Sequence, residues 1–259
     1  MNYTPEKLLE KNILGHTAYG LGSEGDPILF VAGPPGSAVM WATVQRRLAP
    51  RRTVAVEFPM IPKGTFADIV GRLDKIASEL GSSIIVSHGE AVPFALSVGA
   101  DCVRLQVITN GQLSVGATVS QASQLPKTII TGATRLGLGS WFFRSSLGLR
   151  RAVKNPYVMD KAVVDNMIAP YFATKEQRKG MLALFKLTSQ IKEVPVSAPV
   201  HVIWGDSDRM HPKAVVEAWA ATVKDVTVEY VPGGRWFYPL ECPWELADRL
   251  AHVAEHRSI

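Results

Sequence analysis

Ser82-Ser83-Ile84-Ile85-Val86-Ser87-His88-Gly89-Glu90-Ala91-Val92-Pro93-Phe94-Ala95-Leu96 decides how the chain folds. Ile84, Ile85 and Val86 are β-branched and favour a strand, whereas Val92 to Leu96 is an apolar, proline-led run that favours a helix. Pro93 falls in the first turn of that helix, where a missing N–H costs little. Between the two lies a turn too short for bulk, and Ser87 and Ala91 are small on either side of Gly89. The stretch is a strand, a sharp turn and a helix.

Similar units flank it. After a short helical lead-in, Gly15–Gly20 and Ile28–Val31 are expected to be strands joined by a Gly22-to-Pro27 turn, with Ala32-Gly33-Pro34-Pro35-Gly36 following at once. A helix is expected around Val39, Trp41, Val44 and Leu48, a strand over Thr53–Phe58, and a helix over Thr65–Leu80, where Phe66, Ile69, Val70, Leu73, Ile76, Ala77 and Leu80 keep helical spacing. Beyond the opening stretch, Val103–Thr109, Val200–Trp204 and Val226–Val231 have strand character, and Pro212–Ala221 and Pro243–His256 helical character. Strands alternating with helices predict a mostly parallel sheet covered on both faces, with ligands at the carboxyl ends of the strands. Residues 112–198 hold helical patterns and no convincing strand. The expected organisation is a core of residues 1–111 and 199–259 with a helical cap of residues 112–198 inserted between them.

A chain of 259 residues is long enough to bury such a core without disulfides or metal. Cys102 and Cys242 are the only cysteines, which fits a reducing, cytoplasmic setting. The first residues lack an apolar run of signal-peptide length and no later stretch suits a bilayer span, so a soluble protein is expected. The formal charge of +5 is unevenly spread. From Gln112 to Pro199 there are 12 Lys or Arg against 4 Asp or Glu, whereas the remainder carries 16 against 19. A basic cap on a slightly acidic frame is either a solvated surface or a site for an acidic carrier protein or anionic ligand. Gly137–Lys154 is also weighed as an interfacial segment, but membrane association is not expected. No dinucleotide fingerprint, P-loop, metal-ligand set or nucleic-acid module is present in the sequence pattern, and no cofactor is expected.

Four places together resemble the α/β-hydrolase superfamily, in particular its lid-bearing branch of epoxide hydrolases and proline iminopeptidases. They are Ala32-Gly33-Pro34-Pro35-Gly36, the turn at Gly89, Gly205-Asp206-Ser207-Asp208, and Pro232-Gly233-Gly234-Arg235-Trp236 with Pro239-Leu240-Glu241-Cys242-Pro243 behind it. The resemblance covers essentially the whole chain and implies an α/β-hydrolase fold with an inserted helical cap. It also implies a nucleophile at the turn, an acid after a later strand and a histidine after the last one. Here the acid is Asp208, the nucleophile position holds Gly89 and the histidine position holds Trp236. The second oxyanion donor would fall at Pro34, which has no N–H.

The resemblance therefore implies the fold while the residues argue against ester or amide hydrolysis. The expectation is a cofactor-independent, non-hydrolytic enzyme, such as a cyclase, lyase or isomerase, acting on an apolar or partly anionic small molecule. Alternatives are a catalytically silent binding or accessory protein and a hydrolase that activates water directly. Glu90, His88 and Asp208 are the catalytic candidates. Pro34, Pro35, Gly89 and Trp236 are expected to line the pocket, with Trp141, Phe142 and Tyr171 of the cap as its roof. Asp208 could instead pair with Arg235 or Arg209, and His211 lies near the acid loop as a further base.

Overall fold

The computed structural model describes residues 9–61, 63–99, 101–113 and 129–256. The strands are β1 (Leu9–Ile13), β2 (His16–Leu21), β3 (Glu24–Ala32), β4 (Arg51–Glu57), β5 (Ile84–Gly89), β6 (Leu105–Gly111), β7 (Val200–Gly205) and β8 (Val226–Val231). They join in one sheet of order β1-β2-β4-β3-β5-β6-β7-β8. β1 and β2 run antiparallel to their neighbours, and every pairing from β4 to β8 is parallel.

Burial on both faces explains why β3 and β5 carry unbroken apolar runs. Ile28, Phe30 and Val86 pack on one side with α1 (Ala42–Leu48) and α9 (Pro243–His256). Leu29, Val31 and Ile85 pack on the other with α2 (Phe66–Leu80) and α3 (Val92–Leu96). α2 starts at a capping box, in which Thr65 Oγ1 accepts the Asp68 N–H while Asp68 Oδ2 accepts the Thr65 N–H. It ends at Gly81, in the left-handed region at φ +64°. The segment around Trp41 is a 3₁₀ turn, Ala38–Trp41, running into α1.

Two local expectations are corrected. The lead-in is a strand over its described part: Leu9–Ile13 pairs with His16–Leu21 as a hairpin. Between Gly22 and Pro27 the chain is back in the sheet by Glu24, with a register irregularity between Glu24 and Ile28. After β6, the described residues up to β7 contain no strand. They form a helical segment over residues 129–135, α4 (Gly139–Arg144), α5 (Lys161–Phe172), α6 (Lys175–Thr188) and short 3₁₀ turns, a helical insertion between neighbouring parallel strands. α7 (Lys213–Ala220) and the short α8 (Tyr238–Glu241) follow β7 and β8. No described helix is long and apolar enough to cross a membrane.

Candidate functional site

The carboxyl end of β5 forms the turn that the sequence predicts. Gly89 has φ +65°, a conformation that costs an L-residue about 1–2 kcal/mol and glycine almost nothing. The Gly33 N–H donates to the His88 carbonyl at 2.9 Å and the Ala91 N–H donates to the same oxygen at 3.3 Å. The two backbones approach so closely that a Cβ on Gly33 would lie 2.3 Å from the Ala91 nitrogen. A Cβ on Gly89 would lie 3.3 Å from the Gly33 carbonyl oxygen and 3.9 Å from the Trp236 ring. A small side chain at the tip would therefore press on the Gly33 carbonyl oxygen, which must give by a few tenths of an ångström, and meet the Trp236 indole at ordinary contact distance.

His88 sits just below the tip and is fully buried. Its ring is walled by Trp41 at 6.2 Å, Phe237 at 5.2 Å and Trp236 at 6.3 Å between centroids. Thr109 Oγ1 spends its only hydrogen on the Ser87 carbonyl, 3.1 Å away, so it accepts from His88 Nδ1 at 2.8 Å. Nδ1 therefore carries the proton and Nε2 is the bare nitrogen. Burial, only partly opposed by the nearby Asp208 carboxylate and assisted by His211, pushes the His88 pKa down to about 3. At neutral pH His88 is a neutral ring and a poor proton acceptor. Its Nε2, the Trp41 Nε1 and the Trp236 Nε1 are all buried without a hydrogen-bond partner among the described residues.

On the far side of Trp236 lies a second polar group. Two loops, Gly205–Asp208 and Pro232–Arg235, are tied together by Asp206 Oδ1, which accepts the Gly233 N–H at 2.7 Å, and by the Ser207 N–H, which donates to the Gly234 carbonyl. That tie sets Asp208 near Trp236. Asp208 Oδ2 accepts from Asn110 Nδ2 at 2.8 Å and meets His211 Nδ1 at 3.2 Å, while Oδ1 accepts the Met210 N–H at 2.8 Å. Asn110 is itself fixed by the Gly205 N–H, which donates to its Oδ1 at 2.7 Å. Burial raises the Asp208 pKa, but the bonds from His211, Asn110 and Met210 outweigh it and hold the carboxyl below its ordinary range. Asp208 is therefore a buried carboxylate coupled to an imidazole. Arg235 and Arg209 are not its partners: the Arg235 guanidinium donates to the Val153 carbonyl at 3.0 Å. His211 in turn packs against Trp236 at 5.6 Å, so that indole neighbours both histidines.

The remaining predicted positions separate. Pro34 and Pro35 are buried in the loop against the tip, joined by a cis peptide, and Glu90 is buried beside Gly89. Tyr171, from α5 of the cap, is fully buried and its hydroxyl donates to the Gly36 carbonyl, which pins the cap to that loop. Phe142 is half-buried against the core cluster. Trp141 points outward and is 64% exposed, so it does not line the space above the turn.

Two residues in this region gave little or no sequence signal. Asn110 reaches Asp208 across 98 residues of chain, a proximity that only the sheet order creates. Glu57 ends β4 opposite Ala32, which in turn lies opposite His88, so the three side chains form a row across neighbouring strands. Its Oε2 is enclosed without a partner, and burial, with a smaller opposing effect from the Ala38 N–H, pushes its pKa up to about 7. Among the described residues no group of three or more His, Cys, Asp or Glu could hold a metal ion.

The sheet order, the left-handed turn at the end of β5 and the helical insertion after β6 define an α/β-hydrolase fold. Solved structures agree on that fold over nearly the whole chain. The epoxide hydrolase CorEH is 15% identical, with 96% of this chain and 98% of that one covered at a TM-score of 0.73. A thermophilic esterase from Thermogutta terrifontis is 15% identical, with 97% and 98% covered at 0.72. A loop variant of the haloalkane dehalogenase DbeA from Bradyrhizobium elkanii is 17% identical, with 97% of each chain covered at 0.71. No protein-family model matches the sequence, and no curated protein matches it.

Proposed function

We propose that this chain is a cofactor-independent, non-hydrolytic enzyme that moves a proton on a small, apolar or partly anionic molecule, in the manner of an isomerase, lyase or cyclase. The observation that carries the reading is the Asp208–His211 couple beside a turn that offers no nucleophile. A carboxylate on one imidazole nitrogen orients the ring and leaves Nε2 to exchange a proton. Covalent catalysis lacks its parts: Gly89 has no attacking atom, Trp236 cannot accept a proton, and Pro34 cannot donate to an oxyanion. Loss of one oxyanion donor costs a hydrolase about 2.7–4 kcal/mol. The Gly33 carbonyl oxygen, 3.3 Å from the position of a Cβ at Gly89, presents the wrong polarity to an oxyanion there. Aromatic rings around the turn suit an apolar substrate held by shape.

The test is incubation of the protein with a small-molecule extract in water enriched in ¹⁸O, followed by mass spectrometry. The expected result is a compound converted to an isomer or elimination product without ¹⁸O, and conversion lost in His211→Gln and Asp208→Asn. Enzyme-dependent ¹⁸O incorporation, as in hydrolysis, would overturn the reading. A second reading, a silent small-molecule-binding or accessory protein, is favoured by one feature: His88 is packed tight among Trp41, Trp236 and Phe237. Retention of a compound on the protein without any conversion would establish that reading instead.

A further inference from the structure

The cap has apolar side chains on two sides. Phe143, Leu149, Val153 and Met159 are buried and fasten it to the core. In the same stretch Leu136 is 76% exposed, Trp141 64% and Tyr157 88%, with Leu138 and Leu147 also exposed. These side chains are not needed for anchoring. Interspersed with them are Arg135, Arg144, Arg150, Arg151 and Lys154, and there is no Asp or Glu between Arg135 and Tyr157. Arg144 is held by Asp165 at 2.6 Å, and Arg150 Nε donates to the Met159 carbonyl at 3.2 Å, so the cations are arranged on a folded surface.

The chemistry of this face selects its occupant. Exposed Trp and Tyr with Arg, on a stretch that itself carries no Asp or Glu although Asp165 pairs with Arg144 and Glu241 accepts the Lys154 and Asn155 N–H groups, is the composition of the energetic centre of a protein interface. Arginine outnumbers lysine four to one here, and the guanidinium fork matches a carboxylate with two parallel hydrogen bonds. A bilayer surface would call for an amphipathic helix lying in its plane, whereas residues 136–158 form one six-residue helix, Gly139–Arg144, and two 3₁₀ turns. We infer that the outer face of the cap, from Arg135 to Tyr157, docks an acidic protein partner whose carboxylates meet Arg135, Arg150 and Arg151 around an apolar centre that seats Trp141 and Tyr157. The inference goes beyond the proposed reaction and does not depend on it.

The probe is a fluorescein-labelled synthetic helical peptide with Leu on one face and Glu on the other, followed by fluorescence anisotropy. It is expected to bind the wild-type protein, more weakly as salt rises, and about ten-fold more weakly to Arg150→Glu/Arg151→Glu and to Trp141→Ser. Trp141→Ser should keep the wild-type urea midpoint because its side chain is exposed, and the arginine double variant should lower it by no more than the worth of one hydrogen bond, that of Arg150 to the Met159 carbonyl. Failure of the peptide to bind, or equal affinity in the variants, would overturn the inference. So would equally tight binding of polyglutamate, which would reduce the face to charge alone. Co-sedimentation with phosphatidylglycerol vesicles in preference to the peptide would assign the face to lipid, and dimerisation abolished by Trp141→Ser would assign it to a second copy; either overturns the acidic protein partner.

Discussion

Around the turn at Gly89 the large rings face one another: Trp41 and Trp236 enclose a histidine that sees no solvent. On the cap, Trp141 and Tyr157 face outward among arginines. Apolar surface left in water is unfavourable by roughly 25 cal/mol per Å², so the fold explains the first group and leaves the second to be explained by something outside the fold. The contrast separates residues kept for architecture from residues available for recognition.

The sharpest way to break that contrast is to swap the sensitivities. Gly33→Ala puts a methyl group 2.3 Å from a backbone nitrogen, with no flexible side chain to give way, and should cost about 3 kcal/mol or more in a urea titration. Trp141→Ser, a far larger change in volume, should stay within about 0.5 kcal/mol of wild type. Comparable losses in both would mean that the cap surface is structural.

A smaller effect distinguishes the row beneath the turn. The folded-state pKa of Glu57, about 7, lies above its ordinary 4.5, so the folded protein holds this proton longer than the unfolded chain does. Its contribution is complete below pH 4.5 and is lost as pH rises through 7, a decline on the order of 3 kcal/mol at 1.36 kcal/mol per unit. Glu57→Gln, which keeps an acceptor for the Ala38 N–H, removes this decline and leaves the opposite slope of His88, so the variant's stability should rise with pH between about 4.5 and 6.5 relative to wild type. An unchanged slope would place the titrating group elsewhere.

A smaller loss than at Gly33 is expected at the tip itself. Gly89→Ser needs a shift of only a few tenths of an ångström by the Gly33 carbonyl but holds a non-glycine residue at φ +65°, a cost of about 1–2 kcal/mol. It should remain folded and inert toward activated aryl esters, because a serine beside Trp236 lacks a base. Efficient turnover by this single variant would show that His211 already serves that hydroxyl, and the non-hydrolytic reading would fall.

Most of the sheet was legible because β3, β5 and β7 carry β-branched runs that only a doubly covered strand needs. β1 was not. Leu9-Glu10-Lys11-Asn12-Ile13 has helix-forming residues and buries only Ile13, and the hairpin with β2 supplies the order that its own pattern lacks. At the site, Asp208, Gly89 and Trp236 stood out because neighbouring motifs numbered them. The partnership of Asp208 with His211, three residues on, was visible as a spacing, yet nothing local distinguished it from an arginine pairing. Asn110 and Glu57 gave no local signal, since one gains its role from a strand neighbour and the other from the 3₁₀ turn that closes over it.

The register that lines up Glu57, Ala32 and His88 also joins two opposite proton affinities. On unfolding, His88 takes up a proton anywhere between its buried pKa of about 3 and its ordinary 6.5, while Glu57 releases one between 4.5 and about 7. Over the shared interval the uptake and the release cancel, and these two groups make unfolding neutral in protons. Their joint contribution to stability should therefore form a plateau through mildly acidic pH, falling on the acid side as only the imidazole titrates and again toward neutrality as the carboxyl ionises. A row of side chains fixed by strand pairing thus becomes a buffer within the fold.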